Sequence, residues 1–168
     1  MLAAALQLVE KGKFDKIVFV RPNVSVRGLP EIGALPGTAD EKLSWTLAPL
    51  WDKVGGEEGV QMMLNHKILE SVPLLFIRGR SFENSIIYVT EGQNMTTEIA
   101  KLIIGRIGEN SELWINADNS QTDRKLFDDD NGVNKMIERL SGNKLFSYIY
   151  MPKTERSEVA ELATLLSD

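Results

Sequence analysis

The sequence predicts an α/β fold, a mostly parallel sheet with helices on both faces, and three observations predict it. Lys16 to Val20 (KIVFV) and Ile86 to Val89 (IIYV) are apolar on consecutive positions, as expected for strands buried on both faces of a parallel sheet. Stretches with apolar residues at helical spacing alternate with these runs, which implies right-handed crossovers. The central run then stops abruptly in Thr90, Glu91, Gly92 and Gln93, and open α/β sheets carry their chemistry at that carboxyl end of the strands.

Met1 to Lys11 is composed of strong helix formers and stops at Gly12. The strand at 16–20 follows and is closed off by Arg21-Pro22. Residues 23–37 are rich in Gly and Pro and read as a long loop. Asp40 caps an expected helix to about Asp52, with Leu43, Leu47, Leu50 and Trp51 on one face. Glu57 to Glu70 reads as the next helix, acidic at its start, with His66 on it in a structural or surface role. A short apolar run, Leu74 to Ile77, leads through Arg78, Gly79 and Arg80 to the central strand at 85–90. Thr96 starts a helix through Ile99, Leu102, Ile103 and Ile107. Residues 112–117 (ELWINA) read as a strand ending in Asp118, an acidic loop through Asp130 follows, and Asp128 to Asp130 within it reads as a solvated turn. Val133, Met136, Ile137 and Leu140 mark a helix stopped by Gly142. Residues 145–151 read as a further strand, and Ser157 caps a last helix through Leu166. The ends at Arg21, Thr90 to Gln93 and Asp118 to Gln121 are expected along one edge of the sheet.

The 168 residues, 43% hydrophobic and 26% charged, suffice for one well-buried domain. With no cysteine and one histidine, the sequence excludes a disulfide scaffold, thiolate metal sites and a multi-histidine metal site. A net charge of −5 argues against a basic nucleic-acid coat, although a local basic groove is compatible with it. Neither a secretory signal nor a long apolar span is seen, so no membrane is expected and the cytoplasm is the default location. Trp45, Trp51 and Trp114 read as packing residues.

The order KIVFVRP, LPG followed by EK, FIRGRSF, IIYVTEGQN, ADNSQTD and ERSEVAEL resembles the PhoH-like family of ATP-binding proteins, which is similar to superfamily 1 helicases. The resemblance runs from about Lys16 to Leu166. It implies a RecA-like P-loop fold over a single domain, 1–168, with ATP and Mg²⁺ as cofactors and a link to RNA metabolism or the phosphate-starvation response. The family's DEAQN motif falls on Thr90, Glu91, Gly92, Gln93 and Asn94, with Thr90 in place of the metal-anchoring aspartate and Gly92 in place of alanine. Glu91 thereby becomes the carboxylate that orients the attacking water, and Thr90 with Glu91 the metal position. The family's GD-x-x-Q motif falls on Ala117, Asp118 and Gln121, and Arg156 matches an arginine that reaches the γ-phosphate. Gln93, Asp118, Gln121 and Arg156 are thus implied nucleotide contacts. Arg21, Arg78 and Arg80 are implied phosphate or nucleic-acid contacts.

Two departures limit what the resemblance implies. No G-x-x-x-x-G-K followed by Ser or Thr occurs in the sequence, and in the family that loop lies just before the helix that opens here at Met1. The expectation is a domain missing its N-terminal strand and phosphate loop, with ATP and Mg²⁺ binding weak or absent. The second departure is Thr90, whose neutral hydroxyl is a poor anchor for a hard cation. Hydrolysis is therefore in doubt, and a degenerate, non-hydrolysing binding or assembly module is the alternative. A sheet lacking one strand leaves an edge that invites pairing, so a homo-oligomer is also expected. Read from the residues alone, arginines such as Arg78 and Arg80 are more often surface charges or loop braces than phosphate ligands. Asp118 and Gln121 equally cap the turn after their strand, and Arg156 equally pairs with Glu155 or Glu158.

Overall fold

The structure, a computed structural model, describes residues 1–22, 47–118 and 126–151. It divides into two compact units, Met1–Met136 and Ile137–Asp168. The first holds a four-stranded, all-parallel sheet with β1 at Lys16–Val20, β2 at Leu69–Ser71, β3 at Ser85–Val89 and β4 at Glu112–Ile115. The strand order is β2-β1-β3-β4, and β1 and β3 pair in register from Lys16 opposite Ser85 to Val20 opposite Val89. The helices are α1 at Leu2–Glu10, α2 at Gly56–Asn65, α3 at Thr97–Ile104, α4 at Leu126–Asp129 and α5 at Gly132–Leu140.

Side chains on consecutive positions of a strand point to opposite faces, so an unbroken apolar run needs cover on both sides. Ile17, Phe19, Ile86 and Tyr88 pack on one face with Leu2 and Ala5 of α1 and Val60 and Met63 of α2. Trp51 and Trp114 lie half-buried against the same cluster, in the packing role expected of them. Across the strand boundary, Phe19 and Tyr88 meet edge-to-face at 6.0 Å between centroids, a geometry the ring quadrupoles favour. Val18, Val20, Ile87 and Val89 pack on the opposite face with Met95, Ile103 of α3 and, half-buried, Val133 of α5. Thr96 caps α3 as expected, its side chain accepting the Ile99 N–H at 3.3 Å.

Several expectations are corrected. The helix expected over 57–70 ends at Asn65, because Lys67 takes a left-handed backbone (φ 59°) that no helix interior accommodates. Leu69 to Ser71 then become β2, held to β1 by Ile17 N–H to Ile68 C=O (2.8 Å) and Val72 N–H to Phe19 C=O (3.0 Å). The short apolar run after Pro73 takes the form of a single 3₁₀ turn, Leu74–Phe76. The strand expected over residues 145–151 does not form. Asn143 instead holds a turn, accepting the Leu145 N–H on its side chain and the Phe146 N–H on its carbonyl, and Leu145, Ile149 and Met151 are exposed. The α3 helix stops at Ile104, short of Ile107. The helix expected from Asp40 is seen only from 47 to 51, and the 23–37 loop and the helix from Ser157 lie outside the described residues.

The Asp128 to Asp130 stretch is also more than a solvated turn. Asp130 Oδ1 accepts both the Thr97 N–H (3.1 Å) and the Thr97 hydroxyl (2.5 Å), tying the α4–α5 turn to the first turn of α3. These two hydrogen bonds, side chain first, hold the Asp130 carboxyl below its ordinary value. A carboxyl whose folded value is depressed contributes stability that is fully present above its unfolded value and lost as pH falls through the folded one. Chemical denaturation is therefore expected to show the parent and Asp130→Asn converging as pH drops below about 3.9, the ordinary Asp value, with the parent more stable above it.

Candidate functional site at the carboxyl edge of the sheet

In a parallel sheet every strand ends on the same edge, so the residues after β1, β3 and β4 are brought together by pairing alone. Thr90 donates its N–H to Val20 C=O at 3.3 Å, which sets Arg21 beside the β3 turn. Asn116 donates to Val89 C=O (2.9 Å), and Gly92 donates to Asn116 C=O (2.9 Å). The expected meeting of Arg21, Thr90 to Gln93 and Asp118 on one edge is what the topology produces.

Glu91 is exposed and adopts φ 56°, a left-handed conformation that costs a residue with a Cβ about 1–2 kcal/mol. It begins a single 3₁₀ turn, Gly92–Asn94, in which all three residues are buried. Gln93, only 2% exposed, donates from Nε2 to Glu91 Oε2 (2.8 Å) and accepts the Asp118 N–H on Oε1 (3.0 Å). Its carbonyl accepts from Asn131 Nδ2 at 3.0 Å, and Asn131 Oδ1 in turn accepts the Asn134 N–H in the first turn of α5. This chain of bonds was not legible in the sequence, where Asn131 is one polar residue in an acidic stretch.

Gly92 has a packing reason. A Cβ there would lie 2.5 Å from Ile115 Cγ2 and 3.2 Å from Asn116 O, so the turn after β3 sits against the end of β4 only because the side chain is absent. Tyr88, just below, hydrogen-bonds Asn116, while burial pushes its phenol above its ordinary value.

The basic residues divide. Arg78 is exposed and Arg21 half-buried. Arg80 Nη2 pairs with Glu70 Oε1 at 2.7 Å, and its guanidinium stacks 4.6 Å over Phe82. Lys16 Nζ holds the other Glu70 oxygen at 2.6 Å. Burial pushes the Glu70 carboxyl up, but the hydrogen bonds from Lys16 and Arg80 outweigh it and leave it below its ordinary value. Arg80 is thus engaged by β2, on the far side of β1 from β3. Gln121 and Arg156 lie outside the described residues.

Mg²⁺ takes hard oxygen ligands, usually one or two carboxylates with phosphates and water. Thr90 Oγ1 is occluded from solvent and has no hydrogen-bond partner among the described residues. Glu91 is the one carboxylate on this turn, and no cluster of three acidic or histidine side chains exists among the described residues. These residues do not build a Mg²⁺ cradle by themselves.

A buried hydroxyl without a partner costs about 1–3 kcal/mol, so Thr90→Val is expected to raise stability by about 1 kcal/mol in urea unfolding. Thr90→Asp should lower it, since a carboxylate there is desolvated without a partner, and adding Mg²⁺ should not restore the melting temperature. Gly92→Ala is expected to cost about 1–3 kcal/mol through overpacking against Ile115, with part of that loss recovered in the Gly92→Ala, Ile115→Ala double variant measured by the same unfolding curves.

Comparison with known proteins gives a consistent picture. The family profile described as "PhoH-like protein" matches residues 1–165. A Protein PhoH2 from Thermobispora bispora is 34% identical over 167 residues, covering 97% of this chain and 38% of that protein. A Protein PhoH2 from Bacillus subtilis is 32% identical over 173 residues with the same coverages, and a PhoH-like protein of that organism is 32% identical over 122 residues, covering 71% of this chain and 38% of the relative. The chain therefore spans 38% of the length of these relatives.

Proposed function

The chain belongs to the PhoH-like family, and from that premise we propose that the carboxyl edge of its sheet is the nucleotide face of an ATPase-type domain. The observation that carries the reading is the Glu91 turn, an exposed carboxylate held in a left-handed backbone beside the Asp118 turn. Unfavourable backbone conformations of this kind persist where the surroundings over-determine them, and they cluster at functional sites. Glu91 is the group that orients and deprotonates an attacking water. Asp118 meets the phosphate end of the nucleotide, the resemblance assigns nucleotide contacts to Gln121 and Arg156 as well, and Arg21 and Arg78 offer charge to a phosphate backbone such as RNA. The setting in this reading is cytoplasmic, in RNA metabolism or the phosphate-starvation response.

The 168 residues contain no Gly-Lys phosphate loop, so the backbone N–H cradle and lysine that hold the β and γ phosphates have to come from outside them. The Thr90 hydroxyl, occluded and without a hydrogen-bond partner among the described residues, favours a second reading, a non-hydrolysing relative that binds or assembles without turnover. The exposed Leu145, Ile149 and Met151 add self-association to either reading, because a run of exposed apolar side chains gains by excluding water against a second copy.

Calorimetry with ATP and Mg²⁺ and a phosphate-release assay test the reading. The 168-residue chain is expected to bind weakly and release no phosphate. Extended upstream by a phosphate loop, it is expected to bind ATP tightly, and any turnover should be abolished by Glu91→Gln. Tight binding with turnover by the 168 residues alone would overturn the proposed need for an outside loop. If the extended chain binds ATP without turnover, the non-hydrolysing reading stands. If it does not bind at all, the nucleotide reading falls.

A further inference from the structure

Glu91 and the Asp118 N–H offer opposite hydrogen-bonding needs. A carboxylate only accepts and a backbone N–H only donates, so one side chain can serve both only if it carries a donor and an acceptor on a single rigid group. The Gln93 amide does so, with Nε2 on Glu91 Oε2 (2.8 Å) and Oε1 on the Asp118 N–H (3.0 Å), and this pairing fixes which way the amide faces. At 2% exposure the side chain has no water to exchange with, and Asn131 Nδ2 holds the Gln93 backbone carbonyl from the turn before α5 (3.0 Å).

We propose that Gln93 is a positioning residue that locks the Glu91 carboxylate to the turn after β4, so that the two turns at the carboxyl edge move as one body. It touches no substrate in this assignment and acts through Glu91. The inference rests on the reading of Glu91 as the functional carboxylate, and it assigns Gln93 a role different from the direct nucleotide contact implied by resemblance. A displacement of the Asp118 turn, such as a ligand on that turn would impose, reaches the Glu91 carboxylate through this amide, beside the Gly92–Asn116 backbone bond that also joins the two turns. Without the amide, Glu91 is a solvated carboxylate on an exposed turn. Among the described residues, the titratable groups on the adjoining turns are Glu91, Asp118, Arg21 after β1, and Asp129 and Asp130 beside Asn131.

Two variants separate this role from simple packing. Gln93→Met keeps the volume and removes both bonds. Gln93→Glu keeps an acceptor for the Asp118 N–H but sets a second carboxyl against Glu91, and two carboxyls sharing one site cannot both ionise cheaply. The readouts on the 168-residue chain are the carboxyl ¹³C resonance of Glu91, the amide resonance of Asp118 and the melting temperature against pH. With Gln93→Met, both resonances are expected to move. With Gln93→Glu, the introduced carboxyl is expected to titrate at least one unit above the ordinary Glu value of about 4.3, and the melting temperature to match the parent near pH 4 and fall below it toward pH 7. The sign follows because a raised folded value means the ionised form destabilises the fold as pH rises. A Glu91 carboxyl resonance indifferent to both substitutions, or a pH-independent melting difference for Gln93→Glu, would overturn the proposal. Should Gln93→Met fail to fold, the pH series on Gln93→Glu decides alone. None of these readouts needs ATP, so loss of the nucleotide reading and loss of the bridge are separately visible.

Discussion

The pairing of β3 between β1 and β4 is the constraint on which the rest depends. Ser85 to Val89 is buried at every position, so its backbone groups have no water and must be met by neighbours on both sides. Parallel pairing meets them and carries a geometric consequence. The ends of three strands fall on one edge, and the last carbonyls of β1 and β3 accept from Thr90 and Asn116. The turns that bear the candidate chemistry are therefore placed by the needs of the core.

From that placement follow the features of the edge. Gly92 is required because its turn lies against Ile115 and Asn116, with no room for a Cβ. Glu91 enters the turn with a left-handed backbone, and its carboxylate is caught by Gln93. The same residue closes onto Asp118 and is held from behind by Asn131, whose own turn is tied to α3 through Asp130 and Thr97. The bond from Asn131 to the Gln93 backbone is buried and the others are partly buried, and a network of this kind is strong for as long as every member is satisfied. Thr90 stands apart, its hydroxyl occluded and without a hydrogen-bond partner among the described residues.

The arginines show the limit of reading charge from sequence. Arg78 and Arg80 sit two residues apart in one motif, yet one is exposed and the other is bound to Glu70 and stacked on Phe82. The ion pair has Lys16 as a third member, which makes it a brace across β1 and β2. Nothing in the local sequence announces Glu70 as a partner, because the sequence reads that residue as the end of a helix.

The sequence by itself determined the α/β class, the two strands with apolar residues on every position, the Thr96 cap and the edge on which Glu91 and Asp118 meet. Those features are local or follow from parallel topology: hydrophobic period marks the strands, and strands that run one way must end on one side. Tertiary structure decided what depends on neighbours. Leu69 to Ser71 became a strand because β1 offered a free edge, and no local pattern separates such a segment from the tail of a helix. The apolar run at 145–151 formed none, since β propensity is expressed only against a partner strand. The Gln93 bridge likewise required β3 and β4 to be paired before its amide had two turns to join.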